Sequence, residues 1–294
     1  MRVLVLYNPA ARRYNPRLLD QIKEDSNRAG WSLSLFAPSC AKDATLQAQR
    51  ALEEGIELVV AAGGDGTVNA IASALVGSST LFGVLPLGTA NVFARNLGLP
   101  TDNFAASLQA LLTGTPHPVD IGSLNGRYFT AMAGIGLDAQ VATDVNPWLK
   151  SHLGPLAFAL QFPLTGLTYR RPVFRLTLGS GERLFEGPAW GLIATNFPAY
   201  SYRLPLAPRA QPGDGLLDFV LLKGRFLPHL LAQVARSFLA NVPLSSLADT
   251  LAFQTDLLTV ETHPASPGEA DGELMGMSPF CFKVVKSGLT ILAP

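Results

Sequence analysis

A single carboxylate, Asp65, sits in the run Gly63-Gly64-Asp65-Gly66-Thr67, directly after the apolar stretch IELVVAA. Glycines at this spacing let successive backbone N–H groups converge on an anion, and a helix opening behind them adds its positive end. Such a loop suits phosphate, yet a lone acid within it would repel a polyphosphate unless a cation lay between them. A divalent metal held by Asp65 against nucleotide oxygens, directly or through water, reconciles the two and is what phosphoryl transfer requires. Two other strand ends share this character. Asn8-Pro9-Ala10-Ala11-Arg12-Arg13 offers two guanidinium groups to phosphate, and Pro86-Leu87-Gly88-Thr89-Ala90-Asn91 precedes a helix closed by Gly98. An Asp-Gly pair alone is ordinary turn chemistry. Two glycine loops at neighbouring strand ends, each opening a helix, carry more weight. There is no G-x-x-x-x-G-K-[ST] and no G-x-G-x-x-G after the first strand, which argues against a P-loop kinase and a dinucleotide dehydrogenase.

The elements that must position these loops follow from hydrophobic periodicity. RVLVLY (2–7), WSLSLF (31–36), IELVVAA (56–62) and LFGVLP (81–86) are continuous or near-continuous apolar runs. Between them, helical patterns cover 16–29, closed by Gly30, and 42–55, with Asp43 as N-cap and Gly55 as stop. Further helices start near Thr67 and Asn91, and one runs from about Asp102 to Thr113. Apolar strands alternating with helices predict a parallel sheet covered on both faces, with ligands bound where strands end and helices begin. After Asp120 the pattern turns β-rich. Asn125-Gly126 between two strand-like runs is a hairpin signal, 172–196 reads as antiparallel strands around Gly179-Ser180-Gly181, and 215–223 is another strand, together predicting a sandwich. Two helical insertions, 152–167 and 225–242, are apolar on more than one face. Core burial is the favoured reading, and a greasy mouth for a lipid or membrane surface the other.

At 294 residues and 48% apolar, the chain calls for two domains. Its 22 basic and 22 acidic residues cancel, and no basic stripe points to a nucleic-acid partner. Mean hydropathy is +0.25, oily for a water-soluble chain. The first apolar run is too short for a signal-peptide core, and no stretch reaches transmembrane length, so a cytoplasmic protein with at most peripheral membrane contact is expected. Cys40 and Cys281 lie far apart and are expected as two buried thiols, and His117, His152, His229 and His263 show no metal or triad spacing.

VVAAGGDGTVN, GVLPLGTANVFARNLGLP, VDIGSLNGRYF, LAPRAQPGDGLLDFVLLK and ADGE, in this order, resemble the diacylglycerol kinase catalytic family in its soluble bacterial lipid-kinase branch. GGDG alone is shared with NAD kinases and phosphofructokinases. The resemblance implies an α/β nucleotide-binding domain over 1–121, with 286–294 returning to it, and a β-sandwich lipid-substrate domain over 122–285. It implies ATP and Mg²⁺ as cofactors and a lipid substrate, in keeping with the peripheral membrane contact that the sequence allows. A homodimer is among the assemblies the sequence allows. On matching positions, it implies that Asp65 organises the catalytic Mg²⁺ and nucleotide phosphates and that Asp120 is an acidic member of the same network. It implies that Glu273 is the base that takes the proton of the lipid hydroxyl, and that Asn8, Thr45, Gly63, Gly64, Gly66, Thr67, Gly88, Thr89 and Asn91 surround the nucleotide. It also implies that Asp214, with the Leu216 carbonyl nearby, binds a second, structural Mg²⁺.

Each position also has a plain structural reading. Asp214-Gly215 and Asp271-Gly272 make good hairpin turns, Glu273 is an ordinary solvated acid, Asp120 caps or turns, and Gly134 and Gly136 permit close packing beside Asp138. Three departures from the family pattern stand out. Val92 replaces an aspartate common after the Gly88 loop, Ala70 replaces a common glutamate, and Tyr200 and Tyr202 are bulky where glycines are frequent. Two other functions remain open on sequence: a soluble NAD-kinase-like enzyme, and a nucleotide- or lipid-binding regulator without turnover.

Overall fold

The computed structural model describes residues 1–146, 148, 155–199 and 204–294. Tyr200, Tyr202 and His152 fall outside them. The chain forms two compact units, Met1–Ile121 with Lys286–Pro294, and Gly122–Val285.

The first unit is a parallel sheet wrapped by helices. Its strands are β1 (Arg2–Tyr7), β2 (Ser32–Phe36), β3 (Leu58–Gly63), β4 (Leu81–Pro86) and the end of the last strand, β16 (Phe280–Ala293), in the order β2-β1-β3-β4-β16. Thr290 and Ile291 of β16 pair in parallel with Leu81 and Phe82. Every residue of β3 is buried, as expected of a strand covered on both faces. Ile22 of α1 (Arg17–Arg28) and Leu108 and Leu111 of α5 (Phe104–Thr113) pack with Val3, Val5, Leu58, Val60 and Leu85. On the way, α2 (Ala41–Glu53) and α3 (Asp65–Leu75) link β2 to β3 and β3 to β4, and a short helix, α4 (Val92–Asn96), follows β4. From β1 the chain goes to one side for β2 and returns to the other for β3. The strand order therefore reverses between β1 and β3, and sheets of this kind bind ligands at the carboxyl ends of their strands near such a reversal.

The second unit is the expected sandwich. One sheet has the order β12-β11-β10-β7-β14-β15, made of Thr250–Thr255, Leu217–Leu222, Gly191–Thr195, Met132–Gly136, Pro267–Ala270 and Glu273–Met277. The other joins the start of β16 to β13 (Leu257–His263), β8 (Val173–Leu178) and β9 (Arg183–Pro188). Alternation decides the layers. Leu217, Phe219 and Leu221 of β11 face the inter-sheet core with Phe174, Leu258 and Phe282, whereas Val220 and Leu222 face a second apolar layer. Helices α6 (Leu137–Asp144), α7 (Pro155–Thr168) and α8 (Leu227–Ala240) cover that second layer through Leu137, Val141, Ala157 and Leu230. The hairpin between β5 (Thr115–Leu124) and β6 (Arg127–Phe129) turns at Asn125 and Gly126, both left-handed, as Asn-Gly predicts.

Three local expectations are corrected. Asp43 is not the N-cap of α2. Cys40 holds that position, and Asp43, a turn further in, accepts Ser39 N–H at 2.8 Å, which with Gln47 holds its carboxyl below the usual range. The thiols are not buried: Cys40 is exposed because it precedes the helix in a loop, and Cys281 is half-buried; both are free. The helical insertions are only half core. Their inner faces pack as described, while Leu160, Leu164 and Leu167 of α7 and Phe226, Phe238 and Leu239 at α8 stand exposed. Among the described residues, no helix is long and apolar enough to cross a membrane.

Candidate active site

The first unit brings its three loops together at the carboxyl ends of β1, β3 and β4. Gly64 is the extended N-cap of α3, so Asp65, Gly66 and Thr67 form that helix's first turn. The loops after β3 and β4 touch backbone to backbone: Leu87 N–H donates to Gly63 O at 2.8 Å. A Cβ on Gly88 would stand 2.6 Å from Gly64 Cα and 2.7 Å from Asn91 Oδ1, so only glycine fits. Gly63 is equally constrained, by Thr67, whose Cβ and Oγ1 would each lie 2.6 Å from an added methyl. Gly66, by contrast, has open space around its would-be Cβ and an ordinary φ. From the β1 loop, Asn8 N–H donates to Ala62 O at 2.9 Å and its Nδ2 to Thr67 Oγ1 at 3.4 Å. Asn8, Gly63, Gly64, Gly66, Thr67 and Gly88 are thus neighbours, with the amino end of α3 between them.

Within this cradle Asp65 is half-buried, and its Oδ1 accepts Phe93 N–H of α4 at 3.3 Å. An acid at that place complements the positive ends of two helices as well as any cation. Asn91 is left-handed (φ 49°) and buried; its carboxamide accepts from Gly88 N–H at 2.9 Å and donates to Gly88 O at 3.0 Å. It braces the loop instead of reaching out of it. Thr89 is exposed at the tip. Thr45 lies apart from the loops: its hydroxyl is within hydrogen-bond reach of Ala41 O (3.1 Å) and of Ala70 O in α3 (3.0 Å), tying α2 to α3. Asp120 is 2% exposed, and its Oδ1 accepts Ser287 N–H at 2.7 Å. Arg13 is engaged by Thr101 O and Asp102, while Arg12 is exposed.

In the second unit, Glu273 opens β15 after a two-residue turn in which Asp271 (φ 48°) and Gly272 (φ 81°) are both left-handed. The plain turn reading of Asp271-Gly272 is therefore realised, and it presents Glu273 to solvent, where Arg127 donates to it. Asp271 accepts four hydrogen bonds, from Thr130 N–H (2.6 Å), Thr130 Oγ1 (2.9 Å), Ala131 N–H (2.9 Å) and Met132 N–H (3.0 Å). Burial pushes its carboxyl up, and those four bonds pull against it. Glu269 is buried beneath the turn, accepts Gly272 N–H at 2.7 Å, and lies beside Asp138. Burial, then the Asp138 charge, drive its carboxyl well above the usual range. Asp214 closes an Asx turn on Leu216 N–H at 3.0 Å, and Gln254 bridges it weakly (3.5 Å) to Asp218 (3.2 Å). Burial, opposed by Gln254, and the Asp214 charge raise Asp218 to about 6.

Among the described residues, no cluster of three or more Asp, Glu, His or Cys could hold a metal alone. The half-buried Asp65 carboxylate beside the glycine loops is a hard oxygen donor of the kind that binds Mg²⁺ together with substrate phosphates. At the second site, Asp214 and Asp218 with a backbone carbonyl are hard oxygen donors of the right kind. Sequence reasoning missed Arg127, Glu269, Asp138 in its pairing, and Asp218. The last lies four positions after Asp214, at the start of the strand that follows its turn, but the others depend on long-range pairing that no local spacing reveals.

Comparison with known proteins covers both units. A model described as diacylglycerol kinase catalytic domain matches residues 2–124, and one described as YegS C-terminal NAD kinase beta sandwich-like domain matches residues 131–293. A protein of Staphylococcus carnosus named diacylglycerol kinase is 35% identical, over 100% of this chain and 95% of its own. One of the same name from Bacillus subtilis is 34% identical over 76% of this chain and 74% of its own. A crystal structure described as a diacylglycerol kinase from Bacillus anthracis matches with TM-score 0.77 at 20% identity, covering 100% of this chain and 97% of that one, a likeness of fold.

Proposed function

Because the chain belongs to the diacylglycerol kinase catalytic-domain family, we propose that it transfers the γ-phosphoryl group of ATP to a hydroxyl of diacylglycerol or a related lipid. The observation that carries this reading is the cradle at the carboxyl ends of β3 and β4, where Gly64 and Gly88 meet backbone to backbone at the amino end of α3. Backbone N–H groups of Gly64 to Thr67 and the α3 dipole favour the triphosphate. Asn8 steadies the cradle through Thr67, and Asn91 keeps the Gly88 loop in shape. Thr89 is the exposed hydroxyl at the loop tip. Thr45 acts on the nucleotide site indirectly, by fixing α3. Asp65 would hold Mg²⁺, with Asp120 as the second acid of that network. Bound there, Mg²⁺ supplies charge neutralisation of the phosphates.

In the reaction the lipid oxygen forms a bond to the γ-phosphorus, the bond to the β–γ bridging oxygen breaks with its electron pair going to ADP, and the hydroxyl proton passes to a Glu273 oxygen. Arg127 holds Glu273 until the hydroxyl competes for it. Asp214, with the Leu216 carbonyl and Asp218 beside it, would hold a second, structural Mg²⁺. The acceptor arrives from a lipid surface. Residues 155–171 and 223–242 contain no Asp or Glu but include Arg170, Arg171, Lys223, Arg225 and Arg236. The exposed Leu160, Leu164, Leu167, Phe226, Phe238 and Leu239 lie among them, which suits peripheral contact with an anionic bilayer.

The test is transfer of labelled phosphate from ATP to a lipid panel and to NAD. Labelling of a lipid supports the reading. Labelling of NAD, or nucleotide binding with no transfer to either, sinks it. Asp65→Ala and Glu273→Ala should each abolish transfer in a folded protein, and normal turnover in either variant removes that residue from its role.

A further inference from the structure

Two buried acids beneath the Glu273 turn have no part in the chemistry described above. Glu269, on β14, is 2% exposed; on one side its Oε2 accepts Gly272 N–H at 2.7 Å. On the other, Asp138, in the first turn of α6, lies against it. A Cβ placed on Gly134 would stand 2.3 Å from Asp138 Oδ2 and 3.1 Å from Glu269 Oε1, so the glycine leaves the space the two carboxyl groups fill. Two carboxyl groups side by side out of water are costly, and they persist where the arrangement serves a purpose or shares a proton. An apolar residue at Glu269 would remove that cost but leave Gly272 N–H without its acceptor.

We propose that Glu269, seated by Asp138, is a positioning residue for the catalytic base: it locks the Asp271-Gly272 turn from below, as Asp271 locks it from the side, and so fixes where Glu273 points. With Glu269 Oε1 and Asp138 Oδ2 both beside Gly134, Oε2 is the oxygen that accepts Gly272 N–H. The Asp271 carboxylate fastens the same turn to residues 130–132, and Ala270 pairs with Ala133 just before it. With both anchors in place, the turn has a single orientation. With Glu269 gone, Gly272 can rotate and the Glu273 side chain just beyond the turn swings by about an ångström or more, enough to cost about 10- to 100-fold in rate.

This inference rests on Glu273 being the base, and the experiment separates the two. Full-length wild type, Glu269→Leu, Glu269→Gln and Glu273→Gln are assayed with magnesium, labelled ATP and dioleoylglycerol in mixed micelles. Glu269→Leu should lower kcat about 10- to 100-fold with KM for ATP within about twofold. Glu269→Gln, whose amide oxygen can accept Gly272 N–H while its NH₂ donates to Asp138, should restore most of the rate. A folded Glu269→Leu with wild-type kcat, or a Glu269→Gln as slow as it, overturns the proposal. Normal turnover in Glu273→Gln overturns the base assignment instead. Amide exchange provides a measurement that needs neither turnover nor a new fold. In the wild type, Gly272 N–H should exchange at least about tenfold slower than an unprotected amide of the same local sequence. Exchange at the unprotected rate refutes the anchoring.

Discussion

Gly88→Ala offers the sharpest test of the cradle. The new methyl carbon would lie 2.6 Å from Gly64 Cα and 2.7 Å from Asn91 Oδ1. Ordinary carbon–carbon contact needs about 3.5 Å or more, so the two loops must part by about 1 Å. One of the colliding atoms is backbone, which has no rotamer to change. Overpacking of this kind costs about 1–3 kcal/mol, and disturbing the two Gly88–Asn91 hydrogen bonds adds about 1 kcal/mol. The total, about 2–4 kcal/mol, corresponds to a melting-temperature drop of roughly 5–12 °C for a unit of this size. Calorimetry of the full chain, following the transition of the first unit, reads it. Steady-state assays should show a larger loss: a displacement of about 1 Å at a phosphate site is worth about 100-fold. A variant that melts within about 1 °C of wild type and turns over normally would mean that the loops are not pressed together, and the phosphate-site reading would lose its foundation.

Gly66→Ala is the complement. Its methyl meets nothing within 4 Å, so stability should rise by about 0.5–1 kcal/mol in denaturant unfolding while KM for ATP rises, because the backbone is then screened from phosphate; an unchanged KM would remove Gly66 from the nucleotide. Leu164→Glu and Leu239→Glu should each weaken sedimentation with vesicles containing phosphatidylglycerol by about tenfold and leave Tm almost unchanged, and equal binding would rule out that surface. For Glu269, the folded protein holds the proton more tightly than the unfolded chain does. Stability it contributes is therefore complete below the unfolded carboxyl value of about 4.3 and is lost as pH rises toward the raised native value. The stability of Glu269→Gln relative to wild type should accordingly grow with pH, by up to about 1.4 kcal/mol per unit, in urea titrations across that range; parallel curves would show that Glu269 titrates normally.

The parallel sheet and the sandwich were legible because their signals are local. A buried run such as LVVAAG has one stable use in an alternating chain, and Asn125-Gly126 can form a tight turn with both residues left-handed. The glycine loops could be read as a pair because each sits at a strand end. What could not be read is how side chains were spent once the chain closed. Asn91 turns inward to brace Gly88, and Thr45 ties two helices together, because each found a backbone partner brought near by the fold. Asp43 looked like a cap but is displaced by one turn, since Ser39 offered a donor from outside the helix. Arg127 and Glu269 were invisible because their partners are fixed by strand register, Arg127 lying 146 positions from Glu273.

The parallel ladder between Thr290–Ile291 and Leu81–Phe82 reaches across most of the polypeptide. During synthesis β4 is made early, but its outer edge stays open until Thr290 and Ile291 have been translated, about 200 residues later. For that interval a buried-type strand presents unpaired N–H and C=O groups to any neighbouring nascent chain. Gly77 N–H and the Asp120 carboxylate likewise wait for Gly288 O and Ser287 N–H. Truncation before Ser287 would make that exposure permanent, so such a variant should aggregate instead of giving a slightly shorter enzyme.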